Sequence, residues 1–185
     1  MNQIIFKTTV TKWAVIAMVL LQGIMNGHSA MGQDGRLGKE QMEKLSHWVG
    51  EWEGSGWQME PSGKRVEFNV KESVQSKLND FVLIVEGKGK SQSNNELGHD
   101  AMGMIYYNLD NNRYEFHSAT VQGMVTLAEA KIDEKGNFIW GFEVPQGKIQ
   151  FTITLTEDTW VEKGAFSPDG STWYPTMEMN LKKIK

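Results

Sequence analysis

The hydrophobic pattern of this chain changes period near residue 50. From Lys39 to Trp48 the apolar residues Met42, Leu45, Trp48 and Val49 recur at three- and four-residue steps, which predicts a short amphipathic helix. Beyond it the period is two. Val66-Glu67-Phe68-Asn69-Val70-Lys71 alternates apolar with polar, and Ile149, Phe151, Ile153 and Leu155 against Gln150, Thr152, Thr154 and Thr156 repeat the pattern. Both are half-buried antiparallel strands by this reading. Further strands are predicted at 80–87, 102–109, 113–120, 124–132, 137–143, 159–166 and 172–181, each rich in aromatic or β-branched residues. Turn signals punctuate them, among them Pro61-Ser62-Gly63-Lys64, Asp110-Asn111-Asn112, Pro145-Gln146-Gly147 and Pro168-Asp169-Gly170-Ser171. The stretch 89–99, polar and rich in Ser and Asn, reads as a loop. With the segment around Trp52 this makes about ten strands at hairpin spacing and no helix between them. The expected fold is all-β: an antiparallel up-and-down β-barrel of about ten strands behind a short N-terminal helix, closure being what removes the exposed edges. A two-sheet sandwich has the same strand count and stays open as the alternative.

The first 32 residues follow a different logic. Lys7 and Lys12 form a positive region without acidic residues, Trp13 to Leu21 is an apolar run, and Ala30-Met31-Gly32 places small residues at a cleavage position. The run is too short to cross a bilayer, which takes about 20 apolar residues. Residues 1–32 are therefore expected to be a secretory signal peptide, 33–38 a flexible arm, and 39–185 one barrel domain. The expected location is periplasmic or secreted, with no stable membrane anchor.

Charge and cysteine content narrow the partners. The full chain carries a formal charge of −4, and loss of Lys7 and Lys12 with the leader leaves −6. Such a domain repels a phosphate backbone, so nucleic acid is not an expected partner. There is no cysteine. Disulfides, thiolate chemistry and a lipid-bearing cysteine are thereby excluded, and stability has to come from the core.

The run Gly50-Glu51-Trp52-Glu53-Gly54-Ser55-Gly56, preceded by the short helix and followed by the turn at 61–64, resembles the opening strand of two groups. One is the DUF1579 family of exported lipocalin-like, or calycin, proteins, which the resemblance covers over most of 40–183. The other, more distant, is the nitrobindin-like haem-binding barrels. In lipocalin-like barrels the Trp of this motif plugs the closed end, so the resemblance implies a structural role for Gly50, Trp52, Gly54 and Gly56. Nitrobindin-like proteins ligate haem through a histidine near the C-terminal strand. The corresponding stretch here, Tyr174 to Leu181, has no histidine, which leaves only Met177 or Met179 as sulfur ligands. No cofactor is expected on that ground, and a nitrobindin-like haem-binding protein stays open as the alternative function.

Other motifs dissolve on inspection. Gly87-Lys88-Gly89-Lys90-Ser91 lacks the glycine a phosphate loop needs, that position being Ile84. Ser55 is not a nucleophile elbow, since Glu53 stands where glycine is required. His47, His99 and His117 lack metal-site spacing, and His117 alternates with Arg113 and Glu115 on what reads as a solvent face. Glu51, Glu53 and Glu86 are the carboxylates that a barrel mouth would bring together for acid–base work, though no spacing demands it. The compositional signal is stronger. Placing the apolar face of each strand inside gathers Phe68, Met102, Met104, Tyr106, Phe116, Phe138, Trp140, Phe142, Phe151, Trp173, Met177 and Met179 around one lumen. Ten strands leave room for a ligand where eight are filled by side chains. The expected ligand-binding residues are Phe68, Met104, Tyr106, Phe116, Trp140, Phe151, Trp173, Met177 and Met179, and the expected partner is a small hydrophobic or amphipathic molecule bound without catalysis. The same residues would equally fill a solid core.

Overall fold

Alternation of period two becomes ten antiparallel strands in the computed structural model, which describes residues 35–185. They are β1 (Gly50–Met59), β2 (Arg65–Lys77), β3 (Val82–Ser91), β4 (Leu97–Asn108), β5 (Arg113–Thr120), β6 (Val125–Ile132), β7 (Phe138–Val144), β8 (Gly147–Leu155), β9 (Thr159–Ser167) and β10 (Tyr174–Lys183). Each strand pairs with its sequence neighbour, and β1 also pairs with β10. The result is a closed up-and-down barrel, and the sandwich alternative is set aside because no edge is left unpaired. The expected signal peptide lies outside the described residues. Among those described, no helix is long and apolar enough to cross a membrane.

The strand-initiating glycines have a steric cause. Gly50 has φ +144°, a conformation closed to residues with a Cβ, and a Cβ there would also meet the Lys185 carbonyl oxygen. At Gly54 and Gly56 a Cβ would run into the carbonyl oxygens of Asn180 and Glu178 on β10. The barrel closes where β1 meets β10, and the glycines let the two backbones approach there.

One end of the barrel is shut. The chain is helical over 35–43, so the expected arm at 33–38 is already helix from residue 35, and a 3-10 turn follows at Ser46–Trp48. Met42, Leu45 and Trp48 are 2–3% exposed. Trp48 packs edge-on against Phe138 at 5.2 Å and beside Trp160 at 5.3 Å, and Trp160 packs edge-on against Trp52 at 5.8 Å. Trp52 is fully buried, and its indole Nε1 donates to the Trp48 carbonyl oxygen at 2.9 Å. Tyr114 donates to the Gln41 carbonyl at 2.8 Å, tying the helix to β5. Lys183 Nζ donates to the His47 carbonyl at 3.1 Å and lies 5.0 Å from the Trp52 ring centre. Each large side chain fully buried here contributes on the order of 1.5–3 kcal/mol. Trp52 thus plugs the closed end, as the lipocalin-like resemblance implies.

Two strands are longer than their apolar residues suggest. The expected loop at 89–99 is a hairpin in which β3 runs on to Ser91 and β4 starts at Leu97. The alternation continues there with glycine instead of an apolar side chain: Gly87 and Gly89 are buried while Lys88 and Lys90 face out. A hydrophobic pattern cannot report a strand whose inner positions have no side chain.

Candidate ligand site in the open half of the lumen

The inward positions of the strands fall into two sets along the barrel axis. Toward the closed end they are Trp52, Val74, Leu83, Ile105, Tyr114, Phe138, Ile153, Trp160 and Leu181, none above 5% exposed. Toward the other end Phe68, Phe116, Trp140, Phe142, Phe151 and Met177 also point inward, yet all are only half-buried. Among them stand small residues: Gly56, Gly87, Gly89, Gly103, Ala128 and Gly164.

Some of the room left by those glycines is taken by neighbours. A Cβ at Gly103 would strike the Phe116 ring, and one at Gly164 would come within 2.9 Å of Phe151 Cε1. The glycines let both rings lie flat along the wall with Trp140 between them. Trp140 stacks on Phe151 at 4.3 Å with 15° between planes, and meets Phe116 edge-on at 4.4 Å. Strands β5, β7 and β8 therefore present one aromatic wall, a geometry suited to flat apolar groups.

Below this wall sit two carboxylates. Glu72 on β2 is 7% exposed and Glu162 on β9 is 6% exposed. A Cβ at Gly87 would lie 2.5 Å from Glu72 Oε1, so the absent side chain of Gly87 is what makes space for this carboxyl group. Glu72 is paired in register with Trp52 and Gly87, and Glu162 with Ile153 and Met179, so their strand neighbours carry no counter-charge. Among the described residues neither carboxylate has a hydrogen-bond partner in good geometry or an ion pair. Burial pushes Glu162 up to about 7, partly offset by the indole groups of Trp160 and Trp140 nearby. Burial and then the charge of Glu162 push Glu72 up to about 8. Burial thus favours the protonated form of both carboxyl groups, and the charge of Glu162 adds to that preference at Glu72. The Trp160 indole Nε1 is buried without a well-formed hydrogen bond, close enough to Glu162 to favour its ionised form but not aligned on it.

Six of the nine residues expected to bind ligand point into the lumen: Phe68, Phe116, Trp140, Phe151, Met177 and Met179. Met179 is 5% exposed and belongs to the core beneath the site. The other three lie elsewhere, as does Met102. Strand β4 is apolar on both faces, and Ile105, 1% exposed, takes the inner one. Met102, Met104 and Tyr106 consequently face outward, where Tyr106 packs edge-on against His117 at 5.4 Å. His117 is thus on the outer face, 3.5 Å from Glu115. Trp173 precedes a β-bulge between Pro175 and Met177, and that bulge reverses the alternation: Pro175 pairs with outward Ala165, Met177 with inward Gly164. Trp173 therefore borders an outer depression of about 290 Å³ together with Trp57, Lys163 and Pro175.

The carboxylates at 51, 53 and 86 do not converge. Glu51 accepts from Ser73 Oγ at 2.8 Å, Glu53 pairs with Lys71 at 3.2 Å, and Glu86 is exposed. The acidic residues that are buried inside are Glu72 and Glu162, neither of which stood among the expected site residues. A signal was present: each occupies an inward step of an otherwise apolar alternation, Val70-x-Glu72-x-Val74 and Trp160-x-Glu162-x-Gly164. Haem does not fit this interior by the nitrobindin pattern. The inward positions of β10 are Met177, Met179 and Leu181, of which the last two are packed in the core, and no histidine accompanies them. Nor is there, among the described residues, a cluster of His, Cys, Asp and Glu able to hold a metal ion.

The backbone has relatives of known structure. The chain is similar to Rv2717c from M. tuberculosis, with a TM-score of 0.63 at 12% identity over 78% of this chain and 97% of that one. It is also similar to the S-type phycobiliprotein lyase CPES from Guillardia theta, with a TM-score of 0.55 at 14% identity over 83% of this chain and 96% of that one. What they share with this chain is the β-barrel fold. At such identities the likeness is one of fold. No protein-family model matches the chain, and no curated protein matches it in sequence.

Proposed function

We propose that this protein is an exported, non-catalytic calycin-like barrel that holds a small apolar or amphipathic molecule in the open half of its lumen. One observation carries the reading: inward-facing aromatic side chains are fully buried in one half of the barrel and half-buried in the other. A solid barrel would bury both sets alike. Apolar burial against Trp140, Phe151 and Phe116 would supply the affinity, at about 25 cal/mol per Å² removed from water, and the carboxyl pair the orientation. Membership of the DUF1579 group belongs to this proposal and is supported by the Gly50-to-Gly56 run and the plugging role of Trp52. Export is supported by the charge and apolar pattern of residues 1–32.

Native mass spectrometry of the protein taken from its own secretory compartment tests the proposal, paired with titration by a neutral aromatic alcohol, 2-(1-naphthyl)ethanol, followed by tryptophan fluorescence. A bound mass that is lost on denaturation, or saturable quenching that Trp140→Ala weakens at least tenfold, is the expected result. An apo mass together with no quenching would mean that the barrel is solid and that its role is structural.

A further inference from the structure

The lumen holds two buried acids, and the bases on its inner face stand apart from them: His99 on β4 lies beside Gly89 toward the open end, and Lys183 lies at the closed end. Around Glu72 and Glu162 the inward side chains are Trp52 and Gly54 from β1, Val85 and Gly87 from β3, Trp140 from β7, Phe151 and Ile153 from β8, and Met179 and Leu181 from β10. None of them titrates. The internal ammonium at the closed end, Lys183, donates to the His47 carbonyl and forms no ion pair with either glutamate. A buried carboxyl group without a partner costs several kcal/mol whenever it ionises, and a chain that needed only a filled core would place an apolar residue at either position. Beside the acids, the indole Nε1 of Trp160, itself 2% exposed, has no hydrogen-bond acceptor in good geometry. The polar groups at the floor of the site are thus incomplete on both sides: one indole donor has no well-placed acceptor, and among the described residues neither carboxyl group has a cation beside it.

We infer that the open half of the lumen is a receptor for a small organic cation, an amine whose ammonium group lodges against Glu72 and Glu162 while its apolar body lies along Trp140 and Phe151. The inference rests on the ligand-binding reading of the lumen and specifies its ligand class. Three ligand chemistries can be compared at this floor. An anion meets two acids and is repelled. A neutral acceptor takes a hydrogen bond from one protonated carboxyl group and leaves the other unsatisfied. An ammonium brings three donors and a charge, so it satisfies the carboxylate it meets and offsets the charge by which Glu162 acts on Glu72. The wall above adds to the preference, because an indole face attracts a cation. Binding draws the pair into its ionised form, and the displaced proton leaves to the buffer. The cation replaces it, so charge balances.

The test uses the full-length protein and three amines matched with their alcohols: phenethylamine with 2-phenylethanol, 2-(1-naphthyl)ethylamine with 2-(1-naphthyl)ethanol, and decylamine with decanol. Calorimetry at pH 7 in two buffers of different ionisation enthalpy measures affinity and proton release together. At least one amine is expected to bind tenfold or more tightly than its alcohol, with release of protons. Glu72→Gln and Glu162→Gln, which keep the shape, are each expected to erase that preference and the proton release while the alcohol binds as before. If an alcohol binds and its amine binds no better, the cation inference falls and the ligand-binding reading stands. If neither class binds, both fall. Should the variants not fold, the buffer comparison on the unaltered protein decides alone: amine binding without proton release overturns the inference.

Discussion

The two halves of this barrel share strands, register and alternation, yet they use aromatic residues differently. In the closed half Trp48, Trp52, Phe138 and Trp160 meet edge to face and lose nearly all their surface. In the open half Trp140 stacks on Phe151, meets Phe116 edge-on and keeps part of its own surface. The difference arises from what lies across the lumen. The 3-10 turn inserts Trp48 into the closed end, whereas the open half faces glycines at 56, 87, 89 and 164. The closed barrel in this way divides one lumen into a fully packed plug and a half-filled cup, with two buried carboxyl groups at the boundary.

Substitution separates the halves most sharply at the tryptophans. Trp52→Ala is expected to cost about 3–5 kcal/mol of stability by chemical denaturation, since a fully buried indole and its hydrogen bond to Trp48 are both lost. Trp140→Ala should cost less than half as much and show its main effect on naphthylethanol binding. Equal losses at the two positions would mean that the open half is as solid as the closed one.

The boundary between the halves should reveal itself through pH. Glu72 and Glu162 have folded-state values near 8 and 7, above the ordinary carboxylate range, so the folded protein holds more protons than the unfolded chain across neutral pH. Their contribution is fully present below about pH 4.5 and is lost as pH rises through 7 and 8. Between pH 6 and 7 the pair is expected to lower stability by about 2 kcal/mol. His47 and His99, held low chiefly by burial, act in the opposite direction below pH 6.5. Denaturation midpoints measured from pH 5 to 8 on the unaltered protein and on Glu72→Gln/Glu162→Gln isolate the pair by difference. A curve that the double variant does not flatten would show that these carboxyl groups are solvated.

The outer face supplies the control and the smallest effect. Met104→Ala should leave ligand binding unchanged, as its side chain points away from the lumen; weakened binding would overturn the inward and outward assignment of β4. Lys71→Ala, which removes an exposed partner of Glu53, is expected to change stability by less than about 1 kcal/mol.

Period and punctuation, read along the chain, were sufficient for the class of fold, the approximate strand count and six of the inward residues, because alternation encodes burial directly when each strand has one apolar face; the plug at Trp52 was implied by the lipocalin-like resemblance of its motif. Where that condition failed, sequence was silent. Strand β4 is apolar on both faces, so only its neighbours decide that Ile105 goes in and Met104 and Tyr106 go out. The bulge at Pro175 to Met177 reverses the alternation; Pro175 marks an irregularity there without telling which face Trp173 takes. The glycine-lined end of β3 has no hydrophobic pattern at all. The meeting of Glu72 and Glu162 was decided by tertiary structure alone: they lie 90 positions apart in the numbering, on strands separated by β1 and β10, and only closure of the barrel places both carboxyl groups in one water-poor lumen. Sequence determines which side chains alternate, while the way the sheet curls and closes determines which of them share a space.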